Sequence, residues 1–303
     1  MVAETPETRT TSVTAPAIDR NATILWMLLA VFGVGTVEYL VAGVLQDISG
    51  DVDVSVATGG LLITVYAVTV MIGGPLLTIA TVRVPRTPLI AAAMTVFIAG
   101  NIGTALAPNF ATLVVFRIIT ALPHATFFAL CLVLATSLGE PEFQGRAIAR
   151  VSLGLNLATV LGVPLGTLIG TELGWRWEFA LVALFQTAVT IGLITVTRRV
   201  PSHSGGSITS ELSVFTKAPV LWALGLTALS QAALFVVFTY ITPLLHDHAG
   251  FSTGTVTVLL FVFGLGSVAG NQLGGYFADK SIDRTLYFAL GARGGTRPAG
   301  AAG

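Results

Sequence analysis

Charge is scarce in this chain: only 10% of its 303 residues are Asp, Glu, Lys or Arg, and the 15 acids cancel the 15 bases. Soluble domains carry roughly a quarter charged residues. Without a basic excess there is no electrostatic field for nucleic acid, so that partner class drops out. Cysteine occurs once, at Cys131 inside an apolar run, which excludes a disulfide framework and a thiolate metal cluster. That thiol reads as a small buried hydrophobe. No HExxH, no intramembrane carboxylate pair and no nucleotide loop occurs, so nothing marks a membrane-embedded enzyme. No catalytic residue, cofactor or metal is assigned. The first 23 residues lack a basic n-region and a cleavage site, so the apolar run that follows reads as a retained helix rather than a signal peptide.

Apolar length is what the chain has instead. Hydrophobic residues make up 54% and the mean hydropathy is +0.86. Eight stretches of about twenty apolar residues recur, the length needed to cross a hydrocarbon core of about 30 Å. Helices satisfy their own backbone groups in lipid, so an all-α polytopic membrane protein is expected. The expected spans run Ile24 to Leu45, Thr58 to Ala80, Pro88 to Ala107, Ala111 to Ser137, Ala147 to Gly170, Phe179 to Val196, Val220 to Leu244 and Thr253 to Phe277. A fragment of a ninth begins near Leu286 and stops after Leu290. The resulting division is a disordered cytoplasmic tail over 1–23, a six-helix bundle over 24–196, a cytoplasmic inter-bundle loop over 197–219, a partial second bundle over 220–290 and a low-complexity tail over 291–303.

Basic residues orient the spans. With the N-terminus in the cytoplasm, the inside loops hold Arg83, Arg86, Arg146, Arg150, Arg198, Arg199, Lys217, Lys280 and Arg284, while the outside loops hold only Arg176. The first outside loop is acidic, with Asp47, Asp51 and Asp53. This predicts a multi-pass protein of a bacterial cell membrane with its N-terminus inside.

Ionisable groups at membrane depth are the functional candidates, because each costs roughly 2.5–3.5 kcal/mol on insertion scales. Glu38 lies midway along the first span, beside Tyr39, and reads as a proton- or substrate-coupled acid, against a neutral hydrogen-bonded carboxyl. Arg117 in the fourth span reads either as a tether to neighbouring carbonyls or as part of proton coupling. His124 follows Pro123, where the imidazole is placed to bond a carbonyl that the proline frees. His246 and His248, in an outside loop, read as a solvated turn rather than a metal pair.

The fifth span carries Gly154, Gly162, Pro164, Gly166 and Gly170. Residues 162, 166 and 170 are four apart and share one face, the pattern that lets helix backbones approach closely in lipid, and Pro164 adds a bend.

Taken together, these segments resemble the major facilitator superfamily, in its drug:proton antiporter branch. The Gly162–Pro164–Gly166–Gly170 pattern is similar to that branch's antiporter motif, with Val163 between the usually adjacent Gly and Pro. Phe116-Arg117-Ile118-Ile119-Thr120-Ala121-Leu122-Pro123-His124-Ala125 resembles the motif whose Arg is implicated in proton coupling. Gly35-Thr36-Val37-Glu38-Tyr39 and the following loop are similar to bacterial sugar- and chloramphenicol-efflux members. The gating motif between the second and third spans is degenerate: Arg83 and Arg86 survive, with Val82 at its Asp position and Pro85 at its second glycine. A second copy follows the eighth span as Gly275, Asp279, Lys280 and Arg284, as an internal repeat predicts.

The resemblance implies two six-helix bundles around a midplane cavity, small-molecule substrate and protons as partners in a lipid bilayer, and a monomer. It implies proton-coupled efflux of small amphipathic compounds, drug-like or sugar-like, by alternating access. Glu38, Arg117, His124 and Tyr39 would handle proton and substrate. The aromatic residues Tyr66, Phe127, Phe128, Phe235, Phe238 and Tyr240 would face the cavity, and Arg83, Arg86, Gly275, Asp279, Lys280 and Arg284 would form the cytoplasmic gate. It also implies further spans where the low-complexity tail stands, as truncation or a frameshift would produce. An incomplete cavity wall puts transport by this chain in question, and the alternative is a non-transporting scaffold or receptor, or an inactive gene fragment.

Overall fold

Three side-chain caps mark where spans begin. Asp19 Oδ1 accepts from the Ala22 amide at 3.1 Å, Ser55 Oγ from Thr58 at 3.1 Å and Asn109 Oδ1 from Thr112 at 3.0 Å. Each satisfies one of the amides that the first helical turn leaves unpaired. The structure, a computed structural model, describes residues 19–138, 141–197, 216–243, 250–251, 253–282 and 285.

The helices in chain order are α1 (Arg20–Gly43), α2 (Leu45–Asp51), α3 (Val56–Ala80), α4 (Arg86–Ala105), α5 (Phe110–Ala121), α6 (His124–Ser137), α7 (Gln144–Leu157), α8 (Val163–Leu173), α9 (Trp175–Thr197), α10 (Ala218–Pro243) and α11 (Thr253–Ala278). No strand occurs among the described residues. Six helical segments between Arg20 and Thr197 are long and apolar enough to cross a membrane.

Several expectations are corrected in detail. The first helix begins at Arg20, inside the stretch expected as a tail, because Asp19 caps it there. It ends at Gly43, and α2 occupies the acidic loop that follows. The fourth span is two helices, because Pro123 has no amide to continue the ladder. The fifth span contains a π-turn over Ala158–Gly162 immediately before Pro164, where wider backbone spacing accommodates the proline. The sixth begins at Trp175, directly after Gly174, whose φ of +96° closes the turn from α8. The seventh and eighth expected spans appear as α10 and α11. The expected ninth run, the tail after it and most of the inter-bundle loop lie outside the described residues.

The core forms around α1, which α3, α7, α8 and α9 surround. Met27, Val31, Val34, Val37 and Leu40 recur at three- and four-residue spacing and are essentially fully buried. Close approach comes from the glycines of the fifth span. A Cβ on Gly154 would sit 2.5 Å from the Leu28 carbonyl oxygen and 2.9 Å from the Phe32 amide. Gly162 faces Thr36, Gly166 faces Leu40 and Gly170 faces Val44, so the glycine stripe tracks α1 at four-residue intervals. On the other side α4 packs between α9 and α5, while α11 lies along α7. At one end of the bundle Arg176 pairs with Asp51 and donates to the Ala107 carbonyl at 2.9 Å, tying the start of α9 to the end of α2 and to the turn after α4.

Candidate functional site

Gly73 and Gly74 decide how close α3 comes to the fourth span. A Cβ on Gly73 would stand 2.7 Å from Leu122 Cδ1, and one on Gly74 would stand 2.5 Å from Ala125 Cβ. Thr126 Oγ1 donates to the Gly74 carbonyl at 3.1 Å and lies 2.9 Å from Thr78 Oγ1, which holds the approach. Two turns along α3 this contact brings Tyr66 against α5 and α6.

Four side chains from four helices then line up. Arg117 of α5, 1% exposed, donates through Nη1 to the Val37 carbonyl of α1 at 3.2 Å. Its guanidinium carbon lies 4.1 Å from the Tyr66 ring centroid, a cation–π distance. The Tyr66 hydroxyl is 2.8 Å from His124 Nδ1, with the two rings edge-to-face. His124 Nε2 is 3.8 Å from Glu38 Oε2. Glu38 is the open end of this line: its side chain is 35% exposed, while Arg117, Tyr66 and His124 are buried. Arg117 Nε and Nη2 have no hydrogen-bond partner among the described residues, so the ring face and the Val37 carbonyl carry most of its compensation.

The structure thus brings Glu38, Arg117 and His124 together. It also shows that Arg117 does tether a carbonyl, that of the residue preceding Glu38. The basic group in ion-pair range of Glu38 is His124. The imidazole binds Tyr66 rather than a carbonyl freed by Pro123. Tyr39 is half-buried beside Glu38. Of the aromatic residues expected to face a cavity, Tyr66 is the link just described and Phe127 is a fully buried core residue. The side chains of Phe235, Phe238 and Tyr240 lie outside the described residues.

A second constellation joins α11 to α7. Asp279, its side chain 3% exposed, accepts from the backbone amides of Gly145 and Arg146 (3.1 Å for Arg146) and from Arg146 Nε at 3.0 Å. A carboxylate on the first amides of a helix satisfies otherwise orphaned donors and complements the dipole. Gly275 makes this possible, since its Cβ would stand 2.7 Å from the Gly145 carbonyl oxygen. Arg146 also lies over the Phe143 and Tyr276 rings, at 4.7 and 5.1 Å, and Lys280 Nζ lies 4.4 Å from the Tyr276 centroid. About two turns back from Asp279, Asn271 and Gln272 both donate to the Ala149 carbonyl, at 2.8 and 3.2 Å.

The first-bundle copy of that motif is placed differently. Arg83 is exposed in the turn after α3, and Arg86 opens α4 beside a cleft of about 170 Å³ with Thr78, Thr81 and Val82. Arg284, His246 and His248 lie outside the described residues.

Sequence reasoning missed three participants. Arg146 enters the sequence reading only as an inside-loop base and Gly145 not at all, although an acid at the end of one span with a helix start elsewhere is a recurrent pairing. Glu178, in the first turn of α9, is 1% exposed and is not among the candidates read from the sequence. Its sequence signal is a carboxylate eight residues beyond Gly170, the last glycine of the stripe.

Residues 27–295 match the family model described as Major Facilitator Superfamily. The uncharacterized MFS-type transporter YfhI of Bacillus subtilis is 37% identical over 263 residues, covering 87% of this chain and 66% of that protein. The inner membrane transport protein YdhP of Escherichia coli is 36% identical, covering 88% and 68%. A chloramphenicol resistance protein of Streptomyces lividans is 35% identical, covering 86% and 67%. The chain spans about two thirds of the length of these curated relatives. Among solved structures, the proton:xylose symporter XylE superposes with a TM-score of 0.64 at 14% identity, over 86% of this chain and 70% of that one, a likeness of fold.

Proposed function

We propose that this chain, which belongs to the major facilitator superfamily, carries the proton-coupling half of a multi-pass secondary transporter that exports small amphipathic compounds. The observation that carries this reading is the line Arg117–Tyr66–His124–Glu38, which runs from a sealed interior to a half-open carboxylate. Such a set is expensive in lipid, and transporters keep such groups where ions pass. One proton crossing 100 mV supplies about 2.3 kcal/mol.

The chemistry follows from hydrogen-bond direction. A Tyr66 hydroxyl that donates to Nδ1 leaves the proton on Nε2, facing the Glu38 carboxylate. A proton added to Glu38 cancels the negative charge that Nε2–H faces across 3.8 Å, so the imidazole loses its electrostatic partner while keeping the Tyr66 hydroxyl. Gain or loss of one proton at Glu38 is therefore felt along the line as far as the ring under Arg117. Because Arg117 also holds the Val37 carbonyl, the change reaches the α1 backbone beside Tyr39. Asp279 on the α7 amides supports the second half of the reading, a latch between the two bundles on the face expected to be cytoplasmic. Release of that carboxylate would separate α11 from α7 and let the bundles rock, with the glycine stripe keeping α8 on α1 as one body.

The substrate class rests on the relatives, one of which is named for chloramphenicol resistance. The test is uptake of labelled chloramphenicol, and separately of a labelled monosaccharide, by everted vesicles carrying this chain under an imposed proton gradient. Gradient-dependent accumulation that Glu38→Gln abolishes supports the reading. Equal accumulation with Glu38→Gln removes the proton line from the mechanism. No accumulation of either compound by the unmodified chain favours the non-transporting scaffold.

A further inference from the structure

Glu178 belongs to neither the proton line nor the latch, yet it is 1% exposed within a membrane-spanning helix. One carboxylate oxygen lies against Gly170, whose backbone is a nearby donor, but neither oxygen completes a hydrogen bond in good geometry among the described residues. The side chain closes one end of a crevice of about 150 Å³ between α1, α8 and α9. Phe32 and Phe185 form one wall, edge-to-face with centroids 5.9 Å apart, and Leu165 and Ile169 form the other. Gly33, Gly162 and Gly166 line it as well, each packed closely under a neighbouring side chain, that of Gln186, Thr36 and Leu40 respectively. Leu165 is 55% exposed on the outer surface of the bundle, so the crevice opens toward hydrocarbon rather than toward Glu38.

We infer that this crevice is a binding site for a small arylalkyl amine, with the ring against Phe32 and Phe185 and the nitrogen on Glu178. An apolar cavity of about this size accommodates a benzene ring, and aromatic walls favour an edge or offset contact. The polar end selects the nitrogen. A buried acid short of donors can ionise only beside a counter-charge, which an amine supplies together with N–H donors. An alcohol supplies one hydrogen and no charge, and an anion brings a charge that a neutral carboxyl cannot cancel. The exchange balances without an outside proton. A neutral amine enters from lipid, the carboxyl O–H bond breaks as an N–H bond forms, and the ammonium–carboxylate pair remains neutral overall. The inference does not depend on the transport reading, because it is read by binding alone.

The test uses the full chain in phosphatidylcholine nanodiscs with radiolabelled phenethylamine in equilibrium dialysis, and 2-phenylethanol as the neutral control. Saturable phenethylamine binding is expected, weakened about tenfold or more by Glu178→Gln and retained by Glu38→Gln. Unchanged affinity in Glu178→Gln, loss only in Glu38→Gln, no saturable binding, or phenylethanol binding as tightly as the amine would each overturn the assignment. Leu165→Trp fills the crevice mouth from the lipid side and decides the matter if Glu178→Gln does not fold. Full affinity in Leu165→Trp overturns the site, and loss supports it.

Discussion

Tyr66 of α3 and His124 of α6 share a 2.8 Å hydrogen bond, and through it the cation at Arg117 is connected to the acid at Glu38. Among the described residues Arg117 and Glu38 form no direct ion pair: the phenol and the imidazole stand between them. Tyr66→Phe keeps the ring beneath Arg117 and removes only the hydroxyl. It is expected to lower stability by about 0.5–1.5 kcal/mol and to uncouple vesicle uptake from the proton gradient. Full gradient dependence in Tyr66→Phe would show that the proton path bypasses this bond.

Arg117 and Arg83 offer a contrast of burial at constant chemistry. Arg117→Ala empties the place of a buried cation on the Tyr66 ring and leaves the Val37 carbonyl without its donor, so a loss of about 1–3 kcal/mol is expected. Arg83 is exposed, and Arg83→Ala should change stability by less than about 0.5 kcal/mol. Thermal unfolding of both variants in one detergent compares them directly, and equal losses would contradict the buried tether.

Glycine substitutions should divide by what a methyl group would meet. On Gly154 it would meet Leu28 and Phe32 backbone atoms, which cannot swing aside, so Gly154→Ala is expected to lower the melting temperature. Gly60 in α3 faces open space, and Gly60→Ala should raise stability by up to about 1 kcal/mol through helix propensity. The opposite order of melting temperatures would mean that the fifth span does not pack on α1 as described.

The Asp279 contact predicts a distance change. Spin labels at Ile148→Cys and Ile282→Cys report the separation of α7 from the segment just after α11 by double electron–electron resonance. Asp279→Ala removes the acceptor of three donors and should lengthen or broaden that distribution. An unchanged distribution would leave the contact without a role in holding the helices together.

Cys131 supplies a built-in probe of the folded state. It is fully buried in α6, so a maleimide dye should react only as the bundle opens. Fast labelling below the unfolding transition would contradict the packing of α6. Kinetics that follow the melting curve give the readout for the variants above.

Legibility varied along the chain for identifiable reasons. The glycine stripe of the fifth span was readable because four-residue spacing means one helical face whatever lies opposite, and α1 proved to be opposite. The break at Pro123 was readable as a bend, but its extent depended on how α3 packs against the two pieces. Asp279 stood out as an acid at a span end, yet its partners Gly145 and Arg146 are 134 and 133 residues away. Glu178 left almost no trace, since a glutamate in a Trp-rich turn looks wet until α8 and α1 close over it.

What the sequence by itself determined is the membrane-spanning, helical character of the protein and the depth of its few charges. Transfer into hydrocarbon is summed over about twenty consecutive residues, a local quantity that any stretch carries with it. Only the tertiary structure decided that Arg117 would rest on Tyr66, that His124 would face Glu38 and that Glu178 would be sealed beside an apolar crevice. Those outcomes depend on the rotation of each helix about its axis and on backbone approach at particular glycines. In lipid, both are set by packing between helices rather than by the hydropathy of any one of them.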